Sequence, residues 1–273
     1  MPEKLLKCAV INDLSGYGRC SLTVAIPVLS ALGIQACPVP TAVLSNHTDY
    51  DSYYFKDFTE DMPEYIGNWR VLNLMFDAIY TGFLGSVRQV DIILDFIHDF
   101  KKESTLLFVD PVMGDDGRLY DTYDLKLCNE MKKLAGLADI ITPNLTEACY
   151  LSGTEYIENP DDGFIYDICE RLADTGAGTV IVTGVLRGDK ILNFVRSGND
   201  RFYIETDFVG AKYCGTGDVF SSLMCGYLTR RVPLRKALVL TAEFIKTATE
   251  FSFNNNVPFT DGIAFEPLLH NII

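Results

Sequence analysis

Short apolar runs alternate with helix-length segments along this chain, and that alternation limits its fold more than any other feature. The runs 5–11, 34–39, 78–81, 106–109, 140–142 and 179–183 read as buried strands. Between them, apolar residues recur at helical spacing. Val87, Val90, Ile93, Leu94 and Ile97, for example, fall at i, i+3, i+6, i+7 and i+10. The same reasoning predicts helices ending near 32 and over 63–74, 125–137, 145–151, 165–174, 219–228 and 234–251. Runs 191–195 and 202–206 read as a paired excursion. Alternation of this kind implies a mostly parallel central sheet with helices on both faces, an α/β three-layer α/β/α sandwich. The 273 residues, 48% of them hydrophobic, fit one domain over 1–273. The stretch around 41–60 departs from the pattern. It is polar and aromatic, with Asn46, His47, Tyr50, Tyr53 and Tyr54, and reads as a flap or β-excursion.

In a sheet of this type ligands bind beyond the carboxyl ends of the strands. The polar motifs fall there: 13–18, 81–85, 110–117, 142–147 and 183–188, with Asp218 on the same edge. The run Gly215-Thr216-Gly217-Asp218 opens a long apolar helix. Glycines at a helix mouth leave backbone N–H groups free to face an anion. A carboxylate beside them can take a proton from a hydroxyl, and together these are the parts of phosphoryl transfer to an alcohol. The alternative is a glycine turn whose aspartate only caps the helix. A position near a helix N-terminus favours the ionised form of Asp218.

Asp110-Pro-Val-Met-Gly-Asp115-Asp116-Gly117 follows a strand directly, and its acids suit Mg²⁺ or form a plain acidic turn. Asn144 reads as a helix cap, and Glu147 as its capping partner or as an orienter of the Mg²⁺ water shell. His47 is the one histidine in a candidate site loop, as a ligand contact or a loop hydrogen-bonder. Lys212, six residues before Asp218, reads as an exposed surface lysine, the alternative being a reach to phosphate or aldehyde.

Other classes are excluded. A net charge of −14 leaves no basic stripe for nucleic acid. No apolar run approaches membrane-span length, and the first ten residues lack a signal-like core. Eight scattered cysteines without a CxxC pair read as reduced thiols of a cytoplasmic protein. There is no P-loop signature and no complete G-x-G-x-x-G.

Taken in order, the motifs resemble the ribokinase-like superfamily and, within it, the pyridoxal (vitamin B6) kinases. The matching stretches are Ser45-Asn46-His47-Thr48, Tyr80-Thr81-Gly82-Phe83-Leu84-Gly85, Asp110 to Asp115, Gly117-Arg-Leu-Tyr120, Ile141 to Glu147, Val182-Thr183-Gly184 and Gly215 to Asp218. The resemblance implies phosphorylation of the 5′-hydroxymethyl group of pyridoxal, pyridoxamine or pyridoxine by Mg²⁺-ATP. It also implies help from a monovalent cation such as K⁺ and a homodimer. It makes Asp218 the base and gives the phosphoryl group to the N–H groups of Gly215, Thr216 and Gly217. Asp110, Tyr120 and Glu147 fall around metal and phosphates; Asp115, Thr142, Asn144 and Thr183 fall on the nucleotide side. Ser45, His47 and Thr48 match the ring pocket, with Phe83 stacking. Asp13 and Ser15 stand where the family commonly places a ring-binding serine. The turn 13–18 also resembles hydroxymethylpyrimidine kinases of thiamine synthesis, which keeps that activity as an alternative. A non-catalytic B6 or nucleotide binder of the same fold is the third reading.

Asp218→Asn is expected to keep the fold and nucleotide binding and to lower turnover by about 10²–10⁴-fold, the usual loss for a general base. Near-normal turnover in single-cycle kinetics would remove Asp218 from that role.

Overall fold

The computed structural model describes residues 5–272. Its order is β1 (Leu6–Ser15), α1 (Ser21–Ala31), β2 (Ile34–Leu44), β3 (Phe55–Asp57), α2 (Met62–Val71), β4 (Ala78–Thr81), α3 (Val87–Phe100) and β5 (Leu106–Val109). A small hairpin, β6 (Gly114–Asp115) and β7 (Arg118–Leu119), precedes α4 (Leu125–Leu137), β8 (Ile140–Ile141), α5 (Leu145–Ser152) and α6 (Asp162–Asp174). β9 (Thr179–Arg187), β10 (Lys190–Ser197), β11 (Asp200–Asp207), α7 (Thr216–Thr229) and α8 (Leu234–Asn254) complete the series before two short 3₁₀ turns.

Nine strands form one sheet in the order β11-β10-β9-β8-β5-β4-β1-β2-β3. The six central strands, β9 to β2 in that order, pair parallel; β3 on one edge and β10–β11 on the other pair antiparallel. β1 shows why both faces are covered. Cys8 and Val10 point into the layer of α1, α7 and α8, whereas Ala9 and Ile11 point into the layer of α2 to α6. All four are fully buried. A run that is apolar and fully buried at four successive positions, 8–11, has no solvent face, as parallel strands under crossover helices require.

The three-layer expectation is met, with three local differences. β1 continues through 13–15, where a turn was expected, because Ser15 still pairs with Leu44 on β2. β9 likewise runs on to Arg187, and Gly188, at φ +60°, returns the chain along β10. The excursion around 41–60 starts as an extension of β2 and comes back as β3, so its loop is 45–54, with a short turn after Asp57. That loop closes on itself through Ser45: its N–H donates to the Tyr54 carbonyl, and its Oγ accepts the Tyr54 N–H at 2.9 Å.

α1 and α7 lie side by side, and both begin at the site described below. Gly226 lets them approach: a Cβ there would stand 2.3 Å from Leu32 Cδ1 and 3.3 Å from Leu29 Cδ2. Gly226→Val is therefore expected to cost about 1–3 kcal/mol of stability. The cost should appear as a lower urea midpoint at unchanged slope; an unchanged midpoint would mean that the two helices separate freely.

Candidate active site

The parallel ladder continues beyond the strand ends and builds the floor of a cavity of about 1230 Å³. Gly82 N–H donates to Ile11 O, Asp110 N–H to Thr81 O, Thr142 N–H to Val109 O and Thr183 N–H to Pro143 O, at 2.8–3.1 Å. Asp110, Thr142 and Thr183 are thereby held at fixed spacing on one edge, and all three line the cavity.

α7 enters this cavity with its N-terminus. Gly215 precedes it at φ +73°, and a Cβ there would stand 1.8 Å from the Arg19 carbonyl oxygen, so only glycine fits. No side chain caps the helix, which leaves its first-turn N–H groups without intrahelical partners. The Thr216 hydroxyl is turned away, donating to Tyr213 O at 2.7 Å. Gly215, Thr216, Gly217 and Asp218 all border the cavity.

The Asp218 carboxylate receives two groups that the sequence did not single out. Asn12, which is buried, donates from Nδ2 to Oδ1 at a long 3.5 Å. Its own Oδ1 is taken by the N–H groups of Asp13 and Phe83, which fixes the amide's orientation. Gly82 makes room for it, since a Cβ there would stand 2.3 Å from Asn12 Nδ2. The second group is the Ser21 backbone N–H, presented by a residue at φ +51°, an uncommon conformation for a non-glycine residue. Ser21 Oγ in turn donates to Asp13 Oδ1 at 2.5 Å, and Ser15 Oγ donates to Asp13 Oδ2 at 2.8 Å. A polar residue at a strand end could have flagged Asn12; no sequence signal marks Ser21.

Burial works against ionisation here. It pushes Asp218 up to about 7, with the Asp13 charge adding to the rise and Ser21 and Asn12 opposing it. The expectation that the helix N-terminus favours the ionised form of Asp218 meets an opposing effect, desolvation, which is the larger. Glu147 is likewise raised to about 7, mainly by burial. Asp110 is raised by burial and by the charges of Glu147 and Asp218, and Asp13 by burial.

Glu147 and Asn144 form a complete capping box for α5, with Asn144 N–H to Glu147 Oε2 at 2.8 Å and Glu147 N–H to Asn144 Oδ1 at 2.9 Å. Glu147 Oε1 also accepts from Met113 N–H at 3.0 Å. The capping reading is therefore correct, and it leaves each carboxylate oxygen with further acceptor capacity toward the cavity. The acidic stretch 110–117 is not an open loop. Asp116 and Gly117, at φ +46° and +78°, form the turn of the β6–β7 hairpin, the Asp-Gly signature of a type I′ turn. Asp115, the second residue of β6, and Tyr120, directly after β7, border the cavity and are exposed.

Asp13, Ser15, His47, Thr48 and Phe83 also line the cavity. Ser45 does not; its hydroxyl is spent on the 45–54 loop, donating to Asn46 Oδ1 at 2.6 Å as well as accepting from Tyr54. Among the described residues only two cations line the cavity, Lys212 and Lys246, and both are paired, with Asp116 at 3.0 Å and Asp207 at 2.7 Å. Buried acids on one cavity, Asp13, Asp110 and Glu147, with no free cationic side chain among the described residues, fit a hard divalent cation by their donor chemistry.

Raised carboxyls fix a sign. Folded Glu147 binds its proton more tightly than the unfolded chain, whose value is near 4.5, so its stabilisation is lost as pH rises from about 4.5 through about 7. In chelator, Glu147→Gln, which keeps a capping partner, is expected to flatten the fall in unfolding midpoint across that window. An equal slope in both proteins would contradict the assignment.

Comparison with known proteins gives this cavity its context. Residues 25–262 match the family model described as phosphomethylpyrimidine kinase. A Bacteroides thetaiotaomicron protein described as a phosphomethylpyrimidine kinase, crystallised with pyridoxal, superposes with a TM-score of 0.95 at 42% identity over 98% of this chain and 96% of that one. Pyridoxal kinase from Lactobacillus plantarum superposes with a TM-score of 0.92 at 31% identity over 98% and 97% of the two chains. Arabidopsis thaliana pyridoxal kinase is 30% identical over 74% of this chain and 68% of its own length. No helix among the described residues is long and apolar enough to cross a membrane. The chain belongs to the phosphomethylpyrimidine kinase family and groups with the B6 kinases of the ribokinase-like superfamily.

Proposed function

We propose that the chain transfers the γ-phosphoryl group of ATP to the 5′-hydroxymethyl group of a vitamin B6 vitamer, pyridoxal, pyridoxamine or pyridoxine. One observation carries the reading: Asp218 stands in the first turn of an uncapped helix, on the same cavity as the buried strand-end acids. Asp218 takes the hydroxyl proton as the oxygen attacks the γ-phosphorus, and ADP leaves. A base poised near 7 is matched to that transfer at neutral pH. The N–H groups at Gly215, Thr216 and Gly217 receive the charge on the transferring phosphoryl group.

Asp110 and Glu147, with Tyr120 beside them, would hold Mg²⁺, which neutralises phosphate charge. Asp115, Thr142, Asn144 and Thr183 would face the nucleotide. Asp13, Ser15, His47, Thr48 and Phe83 would border the ring, while Ser45 acts only through the loop it closes. The reading carries with it a monovalent cation such as K⁺, a homodimer and a cytoplasmic location. The last is supported by eight cysteines that are all free thiols.

ATP consumption should be assayed with the three vitamers and with hydroxymethylpyrimidine. Turnover of at least one vitamer is expected, exceeding that of the pyrimidine. Turnover of the pyrimidine alone would favour the thiamine-pathway alternative, which the family model's description supports. Turnover of none by folded protein would reject both.

A further inference from the structure

Three donors of different kinds meet on the cavity wall, outside the acids assigned above. His47 Nδ1 stands 3.8 Å from Cys214 Sγ and 3.8 Å from Asp49 Oδ2, and all three ligand atoms lie within 4.8 Å of one another. Two come from the 45–54 loop and the third from the turn before α7. Bond lengths of about 2.0–2.3 Å around a tetrahedral ion place its donors roughly 3.3–3.7 Å apart. Closing to that size shortens the two 3.8 Å separations by a few tenths of an ångström and the Cys214–Asp49 separation, which lies within 4.8 Å, by up to about 1.3 Å. The Asp49 side chain, 61% exposed, is free to supply that movement.

The histidine is already oriented for this. Its Nε2 lies 2.6 Å from the Thr260 carbonyl, which can only accept, so the proton sits on Nε2 and the Nδ1 lone pair points at Cys214 and Asp49. A carbonyl behind the imidazole is the usual support of a metal-ligating histidine. The ring cannot turn away. Gly18 packs so closely that a Cβ there would stand 2.3 Å from His47 Cδ2, and the Tyr50 ring covers it at 4.8 Å. Among the described residues the only other claim on Nδ1 is a long hydrogen bond of 3.3 Å from the Asp49 N–H.

We propose that His47, Asp49 and Cys214 form a site for a borderline-soft divalent cation of the Zn²⁺ class, open to the cavity at its fourth position. Thiol with imidazole selects such an ion over Mg²⁺ or Ca²⁺, which take oxygen ligands. Three protein ligands with an open position differ from the closed set of a purely structural zinc. On binding, the Cys214 S–H bond breaks, the sulfur–metal bond forms and the proton passes to the buffer. The ion ties the 45–54 loop to the turn that leads into Asp218, so its occupancy fixes that side of the cavity.

The test is Co²⁺ titration of chelator-treated protein, followed by absorption. A Cys37→Ser background removes the other cysteine that is not buried. One equivalent should give the visible bands of four-coordinate cobalt with a thiolate-to-cobalt charge-transfer band, and Zn²⁺ should bleach both. Cys214→Ser should abolish the charge-transfer band. Asp49→Asn, at an exposed position that leaves the fold untouched, should weaken binding at least about tenfold. Absence of a charge-transfer band in excess Co²⁺, its survival in Cys214→Ser, or unchanged affinity in Asp49→Asn would overturn the proposal.

Discussion

The parallel hydrogen-bond ladder does not stop where its strands end, and the cavity depends on that continuation. Backbone bonds from Gly82, Asp110, Thr142 and Thr183 to the preceding strands hold the chemistry-bearing residues at sheet spacing. Both sheet faces are buried under helices, so this edge cannot shift without disturbing two apolar layers. Side chains that must act together therefore sit on the most constrained part of the molecule. The loop 45–54 supplies the wall opposite.

Electrostatics at that edge is a contest between desolvation and hydrogen bonding. Asp218 has a helix N-terminus, an amide N–H from Ser21 and the Asn12 side chain in its favour, yet burial and the Asp13 charge raise it to about 7. Glu147 accepts from the backbone N–H groups of Met113 and Asn144 and still rises to the same range. Carboxyls raised in this way hold a proton more readily than free ones and are relieved by accepting a cation. The two paired lysines at the rim cannot fill that need.

Much of this was legible in the chain. The three-layer architecture followed from alternation of apolar runs, because parallel strands buried on both faces carry no polar positions to obscure them. Gly215 to Asp218 was legible because a helix mouth with glycines has few other uses. The type I′ hairpin at Asp116-Gly117 was hidden because its acids also suit a metal loop, and two-residue strands leave no periodicity. Ser21 was hidden for a different reason: its contribution is a backbone N–H aimed by a positive φ, and no side-chain pattern encodes that. Ser45 matched a motif by its letters, but its hydroxyl closes the loop and does not reach the cavity.

Gly215 has a consequence for how such a protein changes over evolutionary time. With the Arg19 carbonyl where its side chain would be, the position admits no variation, and the amides behind it meet any acceptor alike. On the proposed function, transfer chemistry and acceptor choice are carried by separate parts of one cavity wall. The first is written in backbone and is frozen. The second is written in side chains of the 45–54 loop and the β1 end, and can drift between heterocycles without touching the step that moves the phosphate.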